Sequence, residues 1–366
     1  MLKIQSVESF VRDQRIGLVR VRTDAGDEGW GQFAPSHADI TALVLHRQVA
    51  PVALGMDANE PDAISDAVMA ATYKFPGTYV CRALAGLDTA IWDLRGKVAG
   101  KSVCELLGGT PRPFPVYGSS MRRDTTPEEE AERLVRLRDT HGFHGFKIKI
   151  GKRMGYDVDE WPGRTEALIQ ATRKALGDEV TLLADGNSGF QPKRAIEVGR
   201  LMQEQNFSHF EEPCPYPELE WTAEVAAALE IPVAGGEQDY DLKQWERMVA
   251  LRAVDICQPD ICYVGGLTRA LRVAKLAQEA GLPCVPHSSN HSLVMVFTLH
   301  MMGAIPNAGP HAEFSVEPQQ AVTGYYVPKL QVQAGKVQIP EGPGWGVTIE
   351  PNWLAQAERL VSESKG

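Results

Sequence analysis

The sequence predicts an α/β protein: a modified TIM (β/α) barrel carrying an α+β capping domain formed by the N-terminal region and the C-terminal tail. Three observations predict it. Asp185, Glu211, Glu237, Asp260, His287 and Glu313 recur roughly every 26 residues, each ending a short apolar run (TLLAD, HFEE, PVAGGE, VDICQPD, PCVPH, HAEF), and about that length is taken by a strand, a loop, a helix and a return loop. The N-terminal region lacks this rhythm and alternates apolar with polar residues. Beyond Glu313 the chain becomes rich in Gly and Pro, as in KLQVQAGKVQIPEGPGWGV. Side chains at the carboxyl ends of successive parallel strands gather in the mouth of a barrel, so the same spacing names a fold and a site.

In chain order, LKIQSVESFV and IGLVRVRTDAGDEGWGQ alternate around an Asp24-Ala25-Gly26 turn, which reads as antiparallel hairpin. Helical stretches follow around residues 38–50, 60–72 and 83–98. The breaker cluster GGTPRPFP at 108–115 marks the first boundary. From Val116 the βα rhythm begins: VYGSS as strand, TPEEEAERLVRLRD as a helix with Pro127 near its first turn, GFKIKIG as strand, and then the spaced acids. The expected domains are an α+β cap over 1–115, the barrel over 116–325, and a tail over 326–366 that returns to complete the cap.

The bulk composition excludes several classes. A net charge of −10 and a pI near 5.5 argue against nucleic acid or an anionic membrane as partner, since both need a basic face. No apolar run approaches the roughly 20 residues of a membrane span, and MLKIQSVESF lacks the basic start and apolar core of a signal peptide. A cytoplasmic protein is expected. Six cysteines without CxxC spacing, most of them in strand-like apolar runs, read as buried free thiols rather than disulfides or zinc ligands.

The chemistry follows from residue types at the strand ends. Asp185, Glu211 and Glu237 fall on three consecutive ends, where three carboxylates repel one another unless a cation neutralises them. An all-oxygen anionic set suits Mg²⁺, one per subunit, with Mn²⁺ as a substitute, rather than zinc. Lys147 and Lys149 in GFKIKIG are two apart on a strand, so both face the barrel axis and Ile148 faces the helices. Crowded cations lower a lysine's pKa and free an amine to act as base. Asp260 and His287 end adjacent units, and an aspartate on one imidazole nitrogen raises the basicity of the other. Glu313, if protonated, can donate to a developing oxyanion. Lys149 and His287 come from the second and seventh strands, on opposite sides of the mouth, so both faces of a substrate α-carbon are reachable. The reaction class is proton abstraction next to a metal-bound carboxylate, through a stabilised enediolate.

With KIK at 147–149, ADGN at 184–187, FEEP at 210–213, GGE at 235–237, QPD at 258–260, PH at 286–287 and AEFS at 312–315, the chain resembles the enolase superfamily, in particular its mandelate racemase-like subgroup, over essentially its whole length. Sites of that superfamily are known to pair a Lys or His base with Mg²⁺. The resemblance implies Asp185, Glu211 and Glu237 as metal ligands and Lys149 as base, with Lys147 on the substrate carboxylate. It further implies His287 oriented by Asp260 on the other face, and Glu313 on the enediolate oxygen. No lysine lies between Asp255 and Gly266, unlike the muconate-cycloisomerase-like and dipeptide-epimerase-like subgroups. The step from Lys149 to Asp185 is longer than the others because of the polar insert GKRMGYDVDEWPGR, and the first cap loop is no more than VRDQR. A short polar cap disfavours mandelate itself, since an aromatic substrate wants an apolar lid. Asn187 and Lys147 are expected on the substrate, with Arg12, Arg15, Tyr73, Lys74 and Arg82 as cap candidates suited to a polyhydroxylated or dicarboxylic molecule. Acid-sugar (aldonate or aldarate) dehydration to a 2-keto-3-deoxy acid is the expected activity. Racemisation or epimerisation of a 2-hydroxy acid is the alternative, and a non-catalytic metal-binding protein the alternative of another class. The expected partner is a small carboxylate substrate, in a homo-oligomer.

Overall fold

Alternating apolar residues make the first sheet. The structure, a computed structural model, describes residues 2–318 and 324–364. Strands β1 (Ile4–Arg12), β2 (Ile16–Thr23) and β3 (Glu28–Gln32) form an antiparallel meander, with Val7 opposite Val21 and Arg20 opposite Trp30. The tail strand Glu358–Glu363 pairs antiparallel with the free edge of β1, Ser6 facing Glu363, so the tail does return to the cap. Val7, Val19 and Val21 pack on the cap helices, while Phe10, Ile16 and Leu18 join the core shared with the barrel and the tail. Alternation therefore persists with both faces covered. The polar position Glu8, buried, is neutralised by Arg20 at 2.9 Å and Arg359 at 2.6 Å.

The long cap helix Thr78–Ala99 begins five residues earlier than the sequence reading placed it and lies directly on β3. The contact is backbone against backbone: a Cβ on Gly29 would stand 2.2 Å from the Ala90 carbonyl oxygen, and one on Gly31 would stand 2.4 Å from the Ala90 nitrogen. Only glycine lets the strand approach so closely.

The barrel is a parallel sheet in sequence order: β4 (Pro113–Ser119), β5 (Gly145–Lys149), β6 (Thr181–Asp185), β7 (His209–Glu211), β8 (Val233–Gly235) and β9 (Ile256–Cys257). Cys284 makes parallel bridges to Cys257 and to Ala308, supplying the seventh stave. The last strand, β10 (Ala312–Ser315), pairs with β4, Glu313 opposite Tyr117, and brings the sheet back on itself. Helices follow the staves. Pro127–His141 starts with Pro127 in its first turn and a capping box in which Thr126 accepts the Glu129 N–H. Helix Leu293–Met302 is buried along its whole length, as a helix apolar all round must be. Ile148 packs outward with Phe146 and Ile150 against Leu168 and Ile169, which leaves Lys147 and Lys149 on the axis. No described helix is long and apolar enough to cross a membrane, and all six cysteines are buried free thiols.

The cap is tied to the barrel by buried acids. Asp88 on the long cap helix accepts the Thr268 N–H at 3.1 Å, at the start of helix Leu267–Glu279. Asp93 accepts the backbone N–H groups of Trp30 at 2.7 Å and Trp345 at 2.9 Å, joining β3 to the tail.

Candidate active site

Parallel register puts Lys149 opposite Asp185 and Asp185 opposite Glu211, a row across three neighbouring staves at the carboxyl edge of the barrel. The Lys149 ammonium contacts Asp185 Oδ2 directly. Lys147 sits wholly buried between Glu211 and Glu313, 2.9 Å from Glu313 Oε1. Burial works against its charge, but Glu211 and Glu313 outweigh it and hold its pKa well above the ordinary lysine value. The expectation that crowded ammonium groups lower each other's pKa is thus reversed at Lys147, because each lysine faces a carboxylate of its own.

Across the mouth, His287 Nδ1 meets Asp260 Oδ2 at 2.9 Å and its Nε2 lies 3.2 Å from Glu237 Oε2. Asp260 also caps the short turn after β9, its Oδ1 accepting the N–H groups of Cys262 at 2.7 Å and Tyr263 at 3.1 Å. Burial alone would lower the His287 pKa; the Glu237 and Asp260 carboxylates raise it to about 10. Glu313 accepts hydrogen bonds from Ser119 Oγ at 2.7 Å and Ser288 N–H at 2.9 Å. Burial would favour its protonated form, yet Lys147 and then His287 pull its pKa down to about 2. It stands here as an acceptor, whereas donation to a developing oxyanion requires its protonated form.

Asn187 lies among these carboxylates. Its N–H and Nδ2 donate to Asp185 at 2.6 and 2.9 Å, Nδ2 also reaches Glu212 at 3.3 Å, and its Oδ1 accepts from Arg123 Nη2 at 2.9 Å. Every polar atom of Asn187 is thus engaged within the protein, on Asp185, Glu212, Arg123 and the Met154 N–H. Among the cap candidates, the contacts of Arg12 and Lys74 are local, to Asp13 at 3.5 Å and over the Tyr73 ring at 5.8 Å. Arg15, Tyr73 and Lys74 are exposed. Arg82 alone is brought beside the site, its guanidinium 3.9 Å over the Tyr263 ring, which lies 6.1 Å from the His287 ring.

Sequence reasoning missed Glu212, Arg123, Gln258 and Tyr263. Gln258 Nε2 donates to Glu211 Oε2 at 2.8 Å. Its place in QPD, two residues before Asp260, was a usable signal. Glu212 follows Glu211 on what alternation makes the outer face, but a left-handed φ of 43° turns it back to the site, and no sequence pattern announces that torsion. The insert at 151–164 leans on the neighbouring loop: Met154 N–H donates to Asn187 O at 3.1 Å, and Asp157 N–H to Gly189 O at 2.9 Å.

The donor set fits a hard divalent cation. Among the described residues no three His, Cys, Asp or Glu side chains stand gathered as a ready cation site, since Asp185, Glu211 and Glu237 each lean on a basic partner. The surplus of negative charge remains visible. Burial and the neighbouring Asp185 push Glu237 up against the pull of His287, and burial with Glu237 and Asp185 pushes Glu212 well above the usual carboxylate value. Glu212 Oε1 is buried without a hydrogen-bond partner. Crowded carboxylate oxygens of this kind are what Mg²⁺ neutralises.

A capped parallel barrel with acids and bases on its carboxyl edge has its polar site where (β/α) barrels carry their chemistry. Residues 4–108 match the mandelate racemase / muconate lactonizing enzyme N-terminal domain, and residues 129–353 match the enolase C-terminal domain-like family. The chain belongs to the mandelate racemase/muconate lactonizing enzyme family of the enolase superfamily. It is 28% identical to an arabinonate dehydratase of Saccharolobus solfataricus, over 91% of this chain and 88% of that one. A crystal structure from Roseobacter denitrificans that carries a provisional racemase name superposes with a TM-score of 0.97 at 53% identity, covering 99% of this chain and 100% of that one. A magnesium complex of a mandelate racemase/muconate lactonizing protein from Paracoccus denitrificans superposes with a TM-score of 0.88 at 27% identity, covering 100% and 99%.

Proposed function

We propose that the chain is a Mg²⁺-dependent acid-sugar dehydratase that removes water from an aldonate or aldarate to give a 2-keto-3-deoxy acid. The observation that carries this reading is the pair of proton-handling side chains facing each other across the mouth: Lys149 on Asp185, and His287 on Asp260. The similarity to an arabinonate dehydratase supports the reaction, and the magnesium-bound relative supports the metal.

Asp185, Glu211 and Glu237 would hold the cation, which supplies Lewis-acid stabilisation of charge developing on the substrate carboxylate. Lys147, held protonated between Glu211 and Glu313, presents a fixed positive charge to that carboxylate. Lys149 Nζ takes the proton from C2. His287 Nε2 delivers a proton to the C3 hydroxyl, which leaves as water. The resulting enol gains a proton at C3 as it becomes the 2-keto acid, so substrate equals product plus one water. Asp260 accepts the Nδ1–H of His287 and so raises the basicity of Nε2, the nitrogen that faces the mouth. Ser119, Ser288 and Lys147 hold Glu313 in place, so its charge keeps Lys147 centred.

The test is a stereochemically complete acid-sugar library with Mg²⁺, read as semicarbazide-reactive 2-keto acid; no keto product from any member sinks the reading. His287→Asn should abolish elimination while C2–H exchange with solvent deuterium, catalysed by Lys149, continues. Unchanged turnover in that variant removes His287 from the mechanism. A racemase or 2-epimerase is the second reading, favoured by bases on both faces and by the 53% identical neighbour. It predicts recovered substrate with inverted C2 and solvent deuterium at that carbon, without keto product.

A further inference from the structure

One basic side chain of the cap lies against the catalytic residues without an acid of its own. Arg82, in the first turns of helix Thr78–Ala99, is half-buried, and its Nε donates to Thr78 Oγ1 at 3.0 Å. Among the described residues no carboxylate lies within ion-pair distance of it, whereas Arg272 on the barrel helix Leu267–Glu279 meets the cap acids Asp62 and Asp66, both at 2.6 Å. Its guanidinium carbon sits 3.9 Å above the Tyr263 ring. With Nε engaged by Thr78, the terminal N–H edge meets no carboxylate among the described residues, and its fork geometry matches both oxygens of a carboxylate.

Tyr263 places that edge. Its N–H is held by Asp260 Oδ1 at 3.1 Å, the same carboxylate that orients His287, and its ring lies 6.1 Å from the imidazole. Guanidinium, phenol and imidazole stand side by side on one flank of the mouth. A substrate that presents its C3 hydroxyl to His287 brings its remaining carbons within reach of this flank.

Resting on the dehydratase reading, we propose that Arg82, held flat on Tyr263, binds the terminal carboxylate of the substrate, so that the enzyme takes aldarates in preference to aldonates. A diacid gives the guanidinium its missing counter-charge through two parallel hydrogen bonds. The hydroxymethyl end of an aldonate gives it neither charge nor a second acceptor. Tyr263 is then a positioning residue, acting through Arg82.

The experiment compares kcat/KM for hexarates and for aldonates of matching configuration, with saturating Mg²⁺, in the wild type, Arg82→Gln and Arg82→Lys. The wild type should prefer the aldarate by at least about tenfold. Arg82→Gln should lose on the order of 100-fold on the aldarate and less than about threefold on the aldonate, the scale of a charge-assisted bidentate contact. Arg82→Lys should recover part of the preference, since it keeps the charge and loses the fork. A wild type that turns over aldonates as well as aldarates overturns the proposal while leaving the dehydratase reading intact, and needs no variant. Equal losses on both substrates in Arg82→Gln also overturn it, as the signature of a tie between cap and barrel. Keto product from neither class removes the dehydratase reading and this proposal with it.

Discussion

Asn187 adopts a left-handed backbone (φ 42°), as does Ser188 after it (φ 62°), and the paired turn aims its N–H and its amide at the carboxylate two residues earlier. Arg123 then fixes the amide from the far side at 2.9 Å. Such outer contacts set the reach and charge of the oxygens they hold. Asn187→Ala is therefore expected to lower Mg²⁺ affinity by about 10- to 100-fold with the fold intact, as measured by titration calorimetry and circular dichroism. Glu237→Gln should weaken Mg²⁺ binding more directly, by removing a charged oxygen; a titration matching the wild type would refute its assignment as ligand. Among individual residues, the acids, the lysines and the histidine were legible in the sequence because βα spacing and strand alternation are local rules. Asn187 was legible as a residue of the site, but its contact with Arg123, arriving from another loop, was not.

The element that organises the cap is helix Thr78–Ala99. It meets β3 through Gly29 and Gly31, the barrel through Asp88, and the tail through Asp93. Removing the Asp93 carboxylate strands two buried N–H groups, those of Trp30 and Trp345, and leaves Lys97, 2.6 Å away, without its partner. Asp93→Ala should cost about 3 kcal/mol, read as a lower urea midpoint with the slope unchanged. Its sequence pattern showed a helix and left open what it touches. Tyr263 was missed for a similar reason: its role comes from a side chain on this helix, far away in sequence, and no local periodicity reports such a meeting.

For the whole molecule, one imidazole joins three segments. His300, on helix Leu293–Met302, accepts the Cys104 N–H on Nδ1 at 3.1 Å, so its proton lies on Nε2, which donates to the Trp345 carbonyl at 3.1 Å. Burial lowers its pKa from 6.5 to about 4. The unfolded chain thus binds a proton between those values that the folded chain refuses. The contribution to stability is complete above pH 6.5 and falls as pH drops toward 4, by up to about 3 kcal/mol. Urea unfolding at pH 7 and pH 5 should show a steeper loss in the wild type than in His300→Gln; identical losses would exclude His300 as the source. The architecture itself was readable, since a barrel with a cap is written in the spacing of its strand ends and in the change of pattern on either side. The seventh stave was readable only as a position, because between Cys257 and Ala308 the sheet is carried by single bridges at Cys284 instead of a continuous ladder.

The pairing of β1 with the strand Glu358–Glu363 sets an order of events during synthesis. As the chain emerges, β1, β2 and β3 are made first, and the outer edge of β1 has no partner until the barrel has been completed and the last strand has left the ribosome. Unpaired edges of growing chains invite strangers. Of the charges on this early hairpin, Glu8 lies on β1 itself, with Arg20 opposite it on β2, and it gains Arg359 only when the tail strand arrives.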